Sequence, residues 1–394
     1  MDVKSIFLKP GKEKSVERFH PWIFSGALMK GNEDLKNGDL VQVKSADGKF
    51  LCIGHYQDLG SIAVRIISFE ETTIDQDFWN KKFINAMEVR DNLNLLHAYN
   101  NVFRLIHGEG DGLPGLIVDI YNDTAVIQCH SVGMLQSLEF IKNGILNAFD
   151  NDLKAIYNKS SDTISREINV KDSYIYKMGE PDKLVLEYGH KFSVDWETGQ
   201  KTGYFIDQRE NRKLIAKYAS RKKVLNTFCY SGGFSIFALE AGAKLVHSLD
   251  SSQKAIDLVE NNIRLNGFSN SDKHKSIVAD AMDYMKNLEE EYDIIILDPP
   301  AFAKHKKSRH KAVQGYKRLN YNAIKQIKSG GIIFTFSCSQ VVDKQLFANT
   351  VIAAGIESGR SIRILEQLHQ PGDHPINAYH PEGEYLKGLV IQVD

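Results

Sequence analysis

The spacing of apolar positions changes twice along the chain and so divides it into three regions. Near the amino terminus, short alternating or β-branched runs are separated by glycines, which is the pattern of β-strands joined by tight turns. The runs are Ser5 to Lys9, Asp39 to Lys44, Phe50 to Tyr56 and Ile62 to Ser68. They predict a small β-rich domain over residues 1–72, with room for only a small core of its own.

The second region mixes helical and strand periodicity. Residues 77–99 carry large apolar side chains at near-helical spacing, which predicts one long helix, and residues 132–149 predict another. The predicted strands are 103–107, 116–121, 124–130 and further runs near 155–159 and 184–194. We therefore expect an α+β central domain over residues 73–188.

From about residue 190, short apolar strands alternate with helices. The predicted strands are 224–225, 246–249, 276–278, 292–297 and 332–336. The predicted helices are 234–240, 253–266, 281–288 and 316–327. Such alternation predicts an α/β, Rossmann-like domain over residues 189–394, built on a parallel, doubly wound sheet.

Candidate chemistry follows the predicted strands, because ligands of a doubly wound sheet bind at the carboxyl ends of its strands. Gly232 and Gly233 follow the first strand and lead into a helix, where the backbone can approach a ligand closely. Asp250 ends the second strand, where a carboxylate can take two ribose hydroxyls. Asp280 ends the third, near the expected adenine amine. The G-x-G-x-x-G spacing typical of a nicotinamide dinucleotide site is absent, so S-adenosylmethionine is the favoured ligand and methyl transfer the favoured reaction.

Asp298 follows the fourth predicted strand and Cys338 the fifth, so the two are expected to face one crevice. A carboxylate there can accept a hydrogen bond from a nucleobase amine or from N3–H. A thiolate that adds to C6 of cytosine makes C5 nucleophilic enough to take a methyl group, after which proton loss and thiol elimination restore the ring. The pattern predicts covalent methylation of cytosine C5, with Cys338 as the nucleophile.

A cation cluster suggests where RNA could bind. The formal net charge is only -1, yet no Asp or Glu occurs between Asp298 and Asp343. Within that stretch five cations stand close together: Lys304, Lys306, Lys307, Arg309 and Lys311. We expect them to grip RNA phosphates. A solvated helix face or loop is the alternative interpretation.

Other composition signals narrow the class of protein. No apolar run approaches the roughly 20 residues of a membrane span, and no signal-peptide core stands at the start. The four cysteines are too far apart for a metal-ligand motif, and a disulfide framework is not expected in so long a chain. We therefore expect a cytoplasmic protein with no membrane partner and no metal.

Several motifs, in order along almost the whole chain, resemble those of the RlmI-type large-subunit rRNA cytosine-C5 methyltransferases. The motifs are His20 to Gly26, Gly110 to Gly115, Gly199 to Phe205, Asp207 to Arg209, Ser231 to Phe234, Asp298 to Pro300, Thr335 to Ser339 and Tyr385 to Gly388. The resemblance implies an N-terminal PUA domain, a central α+β domain and a C-terminal S-adenosylmethionine domain. It also implies 23S rRNA as the partner, and a homodimer is a further expectation.

The resemblance assigns roles to residues. Cys338 takes the nucleophile role and Asp298 the base-contacting role. The expected cofactor-binding residues are Gln200, Lys201, Thr202, Gly203, Phe205, Asn226, Phe228, Ser231, Gly232, Gly233, Asp250, Ser251, Asp280, Ala281 and Asp298. Many other RNA cytosine-C5 enzymes have a second cysteine where this chain has Pro300, which leaves open the group that removes the C5 proton. Some relatives have Lys where this chain has Ala301, so substrate contacts can differ.

Three alternatives remain at this point. Asp-Pro-Pro followed by an aromatic residue also resembles enzymes that methylate exocyclic amines, and related chains methylate guanine N7; neither reaction needs a cysteine. A non-catalytic RNA-binding factor would use the PUA unit alone. An NAD-dependent oxidoreductase is disfavoured by the missing glycine fingerprint.

Overall fold

The computed structural model describes residues 3–32, 34–58, 60–164, 168–269, 272–288, 290–303 and 305–394. The chain forms two compact units, each of which contains more than one segment. The first unit is Met1–Val185, Val194–Tyr204 and Gly372–Gly383, and the second is Leu186–Ser193, Phe205–Pro371 and Glu384–Asp394. Among the described residues, we find no helix with the length and apolar character needed to cross a bilayer.

One sheet of the first unit is formed by the β-rich region predicted near the amino terminus. Its strands are β1 (Lys4–Phe7), β2 (Trp22–Phe24), β3 (Leu40–Lys44), β4 (Phe50–Tyr56) and β5 (Ile62–Ser68), in the order β1-β3-β4-β5-β2, with helix α1 (Lys14–Glu17). In β3 the side chains alternate, so that Val41 and Val43 are fully buried while their neighbours are partly exposed. Such alternation is expected of a sheet with one face on the core.

The second sheet of the first unit is packed by helices. It contains β6 (Val102–His107), β7 (Leu116–Tyr121), β8 (Thr124–Cys129), β9 (Ala155–Asn158) and β10 (Ser173–Lys177), in the order β10-β9-β8-β7-β6, with helices α2 (Gln76–Asn92), α3 (Val132–Gln136) and α4 (Leu138–Ala148). The helix predicted over 77–99 ends at Asn92, and Asn94 is left-handed with a φ of 52°. The single helix predicted over 132–149 is instead two helices. They are interrupted at Ser137, whose hydroxyl donates to the Gly133 carbonyl at 2.8 Å.

A buried ionic network completes the first unit with a segment from far along the chain. Arg90 donates to both carboxylate oxygens of Asp111, at 2.5 and 2.8 Å, and to the Asp373 carbonyl at 2.9 Å. The Asp373 carboxylate accepts from the backbone N–H of Arg104 at 3.0 Å. Since Arg90 and Asp373 are fully buried, residues 372–383 form part of the core of this unit.

The second unit is built on a seven-stranded sheet. The chain enters it within β11 (Leu184–Glu187), which pairs with β12 (His190–Ser193). The large sheet contains β13 (Lys223–Thr227), β14 (Leu245–Asp250), β15 (His274–Val278), β16 (Ile294–Leu297), β17 (Gly331–Ser337), β18 (Ile362–His369) and β19 (Lys387–Val393), in the order β15-β14-β13-β16-β17-β19-β18. Strands β13 to β17 are parallel, and β19 is antiparallel to both of its neighbours. This confirms the predicted Rossmann-like α/β sheet.

Helices alternate with the parallel strands. They are α5 (Arg209–Ala219), α6 (Gly233–Glu240), α7 (Gln253–Leu265), α8 (Ala281–Tyr284), α9 (Arg309–Gln326) and α10 (Lys344–Ser358). Helix α8 is only one turn long, shorter than the predicted 281–288. Helix α9 begins at Arg309, earlier than the predicted 316. Its first turns escaped prediction because they bury Ala312 alone and so lack an apolar stripe. Helices α5 and α10 and strands β2, β10, β18 and β19 were not expected from the sequence pattern.

An ion pair inside the second unit fixes the start of α5. Arg212 donates to both oxygens of Glu187, at 2.7 and 2.6 Å, and to the Phe205 carbonyl at 2.7 Å. The two side chains are 4% and 0% exposed. A charge in such a place is tolerated only when it is paired and hydrogen-bonded, and Arg212 satisfies Glu187 with both arms of its guanidinium.

Arg212→Met should lower the free energy of unfolding of the second unit by about 3–5 kcal/mol, because it leaves the Glu187 carboxylate buried without its partner. The double variant Arg212→Met/Glu187→Leu should recover much of that loss, since neither charge then remains buried. Urea unfolding followed by circular dichroism measures both. Lys286→Gln, which breaks the exposed pair with Asp283, is the matched control and should leave the unfolding midpoint unchanged. A single variant as stable as the wild type would contradict this account.

Candidate active site

The candidate residues of the second unit gather at one edge of the large sheet. Because β13, β14, β15, β16 and β17 run parallel, their carboxyl ends meet at the same edge. Asp250 is the last residue of β14, Asp298 follows β16 and Cys338 follows β17. Neighbouring parallel strands in this topology form a crevice for a ligand at that edge.

The loop between β13 and α6 has an unusual backbone. Phe228, Tyr230 and Gly232 all have positive φ, at 54°, 46° and 76°. A β-carbon on Gly232 would lie 3.2 Å from Val259, so this position is both left-handed and tightly packed, which favours glycine. The left-handed loop leads the chain directly into α6, whose first backbone N–H groups have no partner within the helix.

Asp250 is tied to this loop. One carboxylate oxygen accepts from the backbone N–H of Tyr230 at 3.1 Å, and the other accepts from Ser252 at 3.0 Å. Each bond orients one oxygen and leaves it further lone pairs, since a carboxylate has about four acceptor positions. The side chain is partly exposed. It is therefore positioned to accept from a pair of vicinal hydroxyls.

Other predicted cofactor residues have structural partners of their own. Asp280 caps α8 by accepting from the Asp283 N–H at 3.0 Å, with buried Ala281 next to it. Buried Asn226 donates to the Ser235 hydroxyl at 2.9 Å, and the Ser231 carbonyl accepts from Asn262 at 2.8 Å. Ser251 is exposed at the end of β14, Phe228 is partly buried in the left-handed loop, and Gly233 begins α6.

The predicted cofactor residues before the sheet divide between the two units. Gln200, Lys201, Thr202 and Gly203 form a turn of the first unit, in which the Gly203 N–H donates to the Gln200 carbonyl at 2.8 Å. The buried Thr202 hydroxyl donates to Asp119 at 2.6 Å and lies 2.9 Å from the Tyr121 hydroxyl. Phe205 belongs to the second unit, and its ring packs on Tyr230 of the left-handed loop, with centroids 5.0 Å apart. A ligand role for the turn stays a prediction.

Asp298 has an altered acidity. Burial of its carboxyl group and the nearby negative charge of Asp207 raise its pKa from 3.8 to about 7, although a hydrogen bond with Gln208 and the charge of Arg212 oppose the shift. A carboxyl group with such a pKa can hold or release a proton near neutral pH. The loop after β16 thus carries an acid that is protonated part of the time under ordinary conditions.

Cys338 lies directly beside that loop, with its sulfur 4.0 Å from the Pro299 carbonyl oxygen. Burial and the charges of Asp298 and Asp207 raise the pKa of the thiol to about 12, so the resting side chain is neutral. Asp298 and Cys338 thus follow the ends of two neighbouring parallel strands, as the strand order predicts.

Lys387, the first residue of β19, lies near Cys338 and has no role predicted from the sequence. Its ammonium group donates to the Ser339 carbonyl at 2.7 Å and is almost fully buried. Burial lowers the pKa of Lys387 to about 8, and its positive charge lowers the pKa of the Cys338 thiol. The sequence feature that could have indicated a role for Lys387 is its position as the first residue of a strand that is otherwise largely apolar.

Asp207, like Lys387, lies in one of the sequence motifs but has no role predicted from the sequence. One of its carboxylate oxygens accepts from the Tyr385 hydroxyl at 2.7 Å. The other is buried and has no hydrogen-bond partner among the described residues. A buried oxygen of this kind costs free energy unless a ligand group satisfies it. Its charge acts on both Asp298 and Cys338.

The predicted RNA-contacting cations are exposed where the structure describes them. Lys306 and Lys307 form a 3₁₀ turn, and Arg309 and Lys311 lie in the first turn of α9. Arg309 reaches Asp343 at 3.4 Å. Lys304 lies outside the described residues.

Comparison with known proteins places these features in a family. Residues 6–69 match the family model of a PUA-like domain, and residues 171–388 match that of an S-adenosylmethionine-dependent methyltransferase. Ribosomal RNA large subunit methyltransferase I of Aeromonas hydrophila is 38% identical over 98% of this chain and 99% of the relative. The protein of the same name from Vibrio cholerae is 36% identical over 99% of each.

Solved structures share the fold along the whole chain. A Streptococcus mutans protein described as a SAM-dependent methyltransferase aligns with a TM-score of 0.83 at 22% identity, over 99% of this chain and 100% of its own. A protein described as a methyltransferase in complex with SAH aligns with a TM-score of 0.84 at 24% identity, again over 99% and 100%. The predicted PUA-like and Rossmann-like methyltransferase folds are confirmed.

Asp250→Ala should weaken S-adenosylmethionine binding by roughly 10- to 150-fold, because loss of a charged hydrogen-bonding partner costs about 1.5–3 kcal/mol. Isothermal titration calorimetry measures the dissociation constant. Asp257→Ala, at an exposed position on the following helix, is the control and should bind like the wild type. Unchanged affinity in a folded Asp250 variant would remove this residue from the site.

Asp298→Asn should make the protein more stable than the wild type at pH 8 but not at pH 4. The pKa of the Asp298 carboxyl group is 3.8 in the unfolded chain and about 7 in the folded chain. As pH rises between these values, the unfolded chain releases its proton first, so wild-type stability falls. We expect the variant to gain up to about 4 kcal/mol in relative free energy of unfolding between pH 4 and pH 8. Urea titrations across this range measure it, and a pH-independent difference would refute the shift.

Proposed function

The chain belongs to the ribosomal RNA large subunit methyltransferase I family of S-adenosylmethionine-dependent methyltransferases, and from this premise we propose that it forms 5-methylcytosine in large-subunit (23S) rRNA through a covalent adduct on Cys338. The observation that carries the proposal is the thiol of Cys338 beside the Asp298-Pro299-Pro300 loop at the ends of two neighbouring strands. Methylation of an exocyclic amine or of guanine N7 would not require this thiol, since neither reaction uses a cysteine nucleophile.

The residues at the sheet edge suit the cofactor. S-adenosylmethionine supplies, when bound, a methyl group on a positively charged sulfur. Asp250 offers two oriented carboxylate oxygens for the ribose hydroxyls, and the start of α6 offers backbone N–H groups for a carboxylate. The proposed cofactor residues in the turn before the sheet, Gln200 to Gly203, are separated from Phe205 by Tyr204 alone.

Cys338 acts as the nucleophile in this proposal. Its sulfur forms a bond to C6 of the target cytosine, and the electron density moves to C5, which becomes able to accept a methyl group. Loss of the C5 proton and cleavage of the bond between sulfur and C6 then restore the aromatic ring and the thiol. The neutral resting thiol is protected from metal binding and oxidation, since both require thiolate character.

Asp298 serves the same step as an acid. In its protonated form it donates a hydrogen bond to N3 of cytosine, which makes C6 more electrophilic, as a neutral carboxylic acid in an apolar site can do. As the bond between sulfur and C6 forms, the thiol proton passes to Asp298 while the carboxyl proton passes to N3. Asp298 ends the step protonated, as it began. The buried oxygen of Asp207 is available for the exocyclic amine of cytosine.

Lys387 supports the sulfur through its charge. Its ammonium group stabilises the negative charge that develops on Cys338 as the proton leaves, and burial of the pair strengthens the attraction. The Ser339 carbonyl holds the ammonium group in place at 2.7 Å. Lys387 is therefore a positioning and electrostatic group in the proposal, while Cys338 and Asp298 contact the base.

The RNA itself would contact two places. The exposed cations Lys306, Lys307, Arg309 and Lys311 follow the Asp298 loop in the chain and suit the phosphates that flank the target. The PUA-like domain, residues 6–69, would add further RNA contacts. The substrate class follows from the names of the relatives, which act on large-subunit rRNA.

Cys338→Ala should abolish methylation and leave cofactor binding intact, because removal of a covalent nucleophile can cost about 10⁴-fold in rate. Transcribed large-subunit rRNA with 5-fluorocytidine in place of cytidine should trap the wild type covalently, since fluorine cannot leave C5 as a proton does. The adduct is seen as a band of reduced mobility on a denaturing gel, and mass mapping of the rRNA locates the methyl group.

Two further variants make this test specific. Cys52→Ala removes a buried thiol of the first unit and should trap and methylate like the wild type. Cys338→Ser preserves the side-chain volume and should trap nothing. Substantial turnover by the Ser variant would overturn the covalent mechanism and favour methylation of an amine or of guanine N7.

A further inference from the structure

His380 of the first unit is a buried histidine whose nearest charged contact, from Nε2 to a Glu382 carboxylate oxygen at 3.8 Å, is too long for a hydrogen bond. The residue is 3% exposed. Neither ring nitrogen has a hydrogen-bond partner among the described residues, and both are buried. Leaving such atoms unsatisfied costs free energy, so a polar partner for them is expected. The ring packs against Trp22, with centroids 4.3 Å apart, and cannot turn away without losing that contact.

Two further metal-ligating side chains meet His380 at this place. One ligand atom each of His20, His380 and Glu382 lies within 4.8 Å of the other two. The rings of His20 and His380 have centroids 5.5 Å apart and an interplanar angle of 76°. Two imidazoles on one tetrahedral zinc ion place their centroids roughly 5 Å apart, given a zinc–nitrogen bond of about 2.0–2.1 Å. Only a small closure of the three side chains is required.

The surroundings of His20 suit a ligand. Its Nδ1 lies 3.1 Å from the Trp22 carbonyl oxygen. The same Nδ1 lies 3.2 Å from the Trp22 backbone N–H, which donates to it in the other tautomer. A metal on Nε2 requires the tautomer in which Nδ1 donates to the Trp22 carbonyl, a bond that commonly fixes a metal-bound histidine. Glu109, held by the Trp22 indole N–H at 2.8 Å, adds a second negative charge beside the same ring. A cation is thus favoured by both the donor set and the charge.

We propose that His20, His380 and Glu382 bind a first-row divalent transition metal, of which Zn²⁺ is the type. Two imidazoles and a carboxylate are ligands that zinc accepts, whereas magnesium and calcium prefer oxygen alone. Because the Glu382 side chain is exposed, the fourth coordination position on that side is left to water. The ion would connect the residue that precedes β2 to the returning segment 372–383, so its role is structural and independent of methyl transfer.

The sequence does not predict a metal site, because its four cysteines lack metal-ligand spacing. The ligands proposed here are histidines and a glutamate, and His20 is separated from the other two by most of the chain. Only folding of residues 372–383 into the first unit brings them together.

The test uses the full chain without a polyhistidine tag, stripped with a chelator and then titrated with Zn²⁺ against a chromogenic competitor. We expect one tight site per chain. Free Zn²⁺ at about 100 times the dissociation constant should raise the melting temperature of the first unit by roughly 5–10 °C. His310→Gln, which removes an exposed histidine of the second unit, should bind and melt like the wild type.

Two variants separate a metal ligand from a packing residue. His380→Phe keeps the ring against Trp22 but has no nitrogen, so it should lose the tight site and the zinc-dependent shift while melting no lower than the zinc-free wild type. His20→Gln, at a partly exposed position, should lose the same site and carries the test if the first variant does not fold. Absence of a tight site in the wild type, or its retention in either variant, would overturn the proposal.

Discussion

Arg212 lies where three parts of the second unit meet. Its guanidinium binds both oxygens of Glu187 at the end of β11 and the carbonyl of Phe205, and its own backbone belongs to the first turns of α5. The segment between Phe205 and Arg212 therefore has a fixed path. Gln208 and Asp207 lie on that segment and modify the pKa of Asp298, which burial raises: the charge of Asp207 raises it further, and the hydrogen bond with Gln208 lowers it. A buried structural ion pair thus contributes, directly and through its neighbours, to the acidity of a candidate site residue.

Much of the second unit was predictable because its central strands are covered on both faces. Such strands appear in sequence as short apolar runs, and Ile294 to Leu297 is one in which every residue is buried. Strand β18 gave no comparable signal, since it is largely exposed, whereas β19 contains a buried apolar run but was not predicted. The start of α9 also escaped prediction, since a helix whose first turns are cationic and solvated has no apolar stripe to show.

The site was predictable to the extent that topology decides it. A parallel sheet sends the ends of its strands to one edge, and that rule alone brought Asp298 and Cys338 together. The roles of Asp207 and Lys387 depend on contacts between distant residues, such as the bond from Tyr385 to Asp207, which joins positions 178 residues apart. Position in a motif also cannot reveal whether a polar atom is already engaged, as the Thr202 hydroxyl is with Asp119.

The return of residues 372–383 to the first unit has a consequence for synthesis on the ribosome. Asp373 bonds the backbone of Arg104, 269 positions earlier, and its carbonyl accepts from Arg90, 283 positions earlier. At about 5–20 residues per second, the ribosome makes Asp373 roughly 10–50 s after Arg104. In the usual order, the amino-terminal part of a chain folds before the rest emerges from the ribosome. In this chain, the first unit cannot complete its folding in that way, because two of its buried hydrogen bonds require Asp373. The first unit must wait, incomplete, until the segment that contains Asp373 has been synthesised.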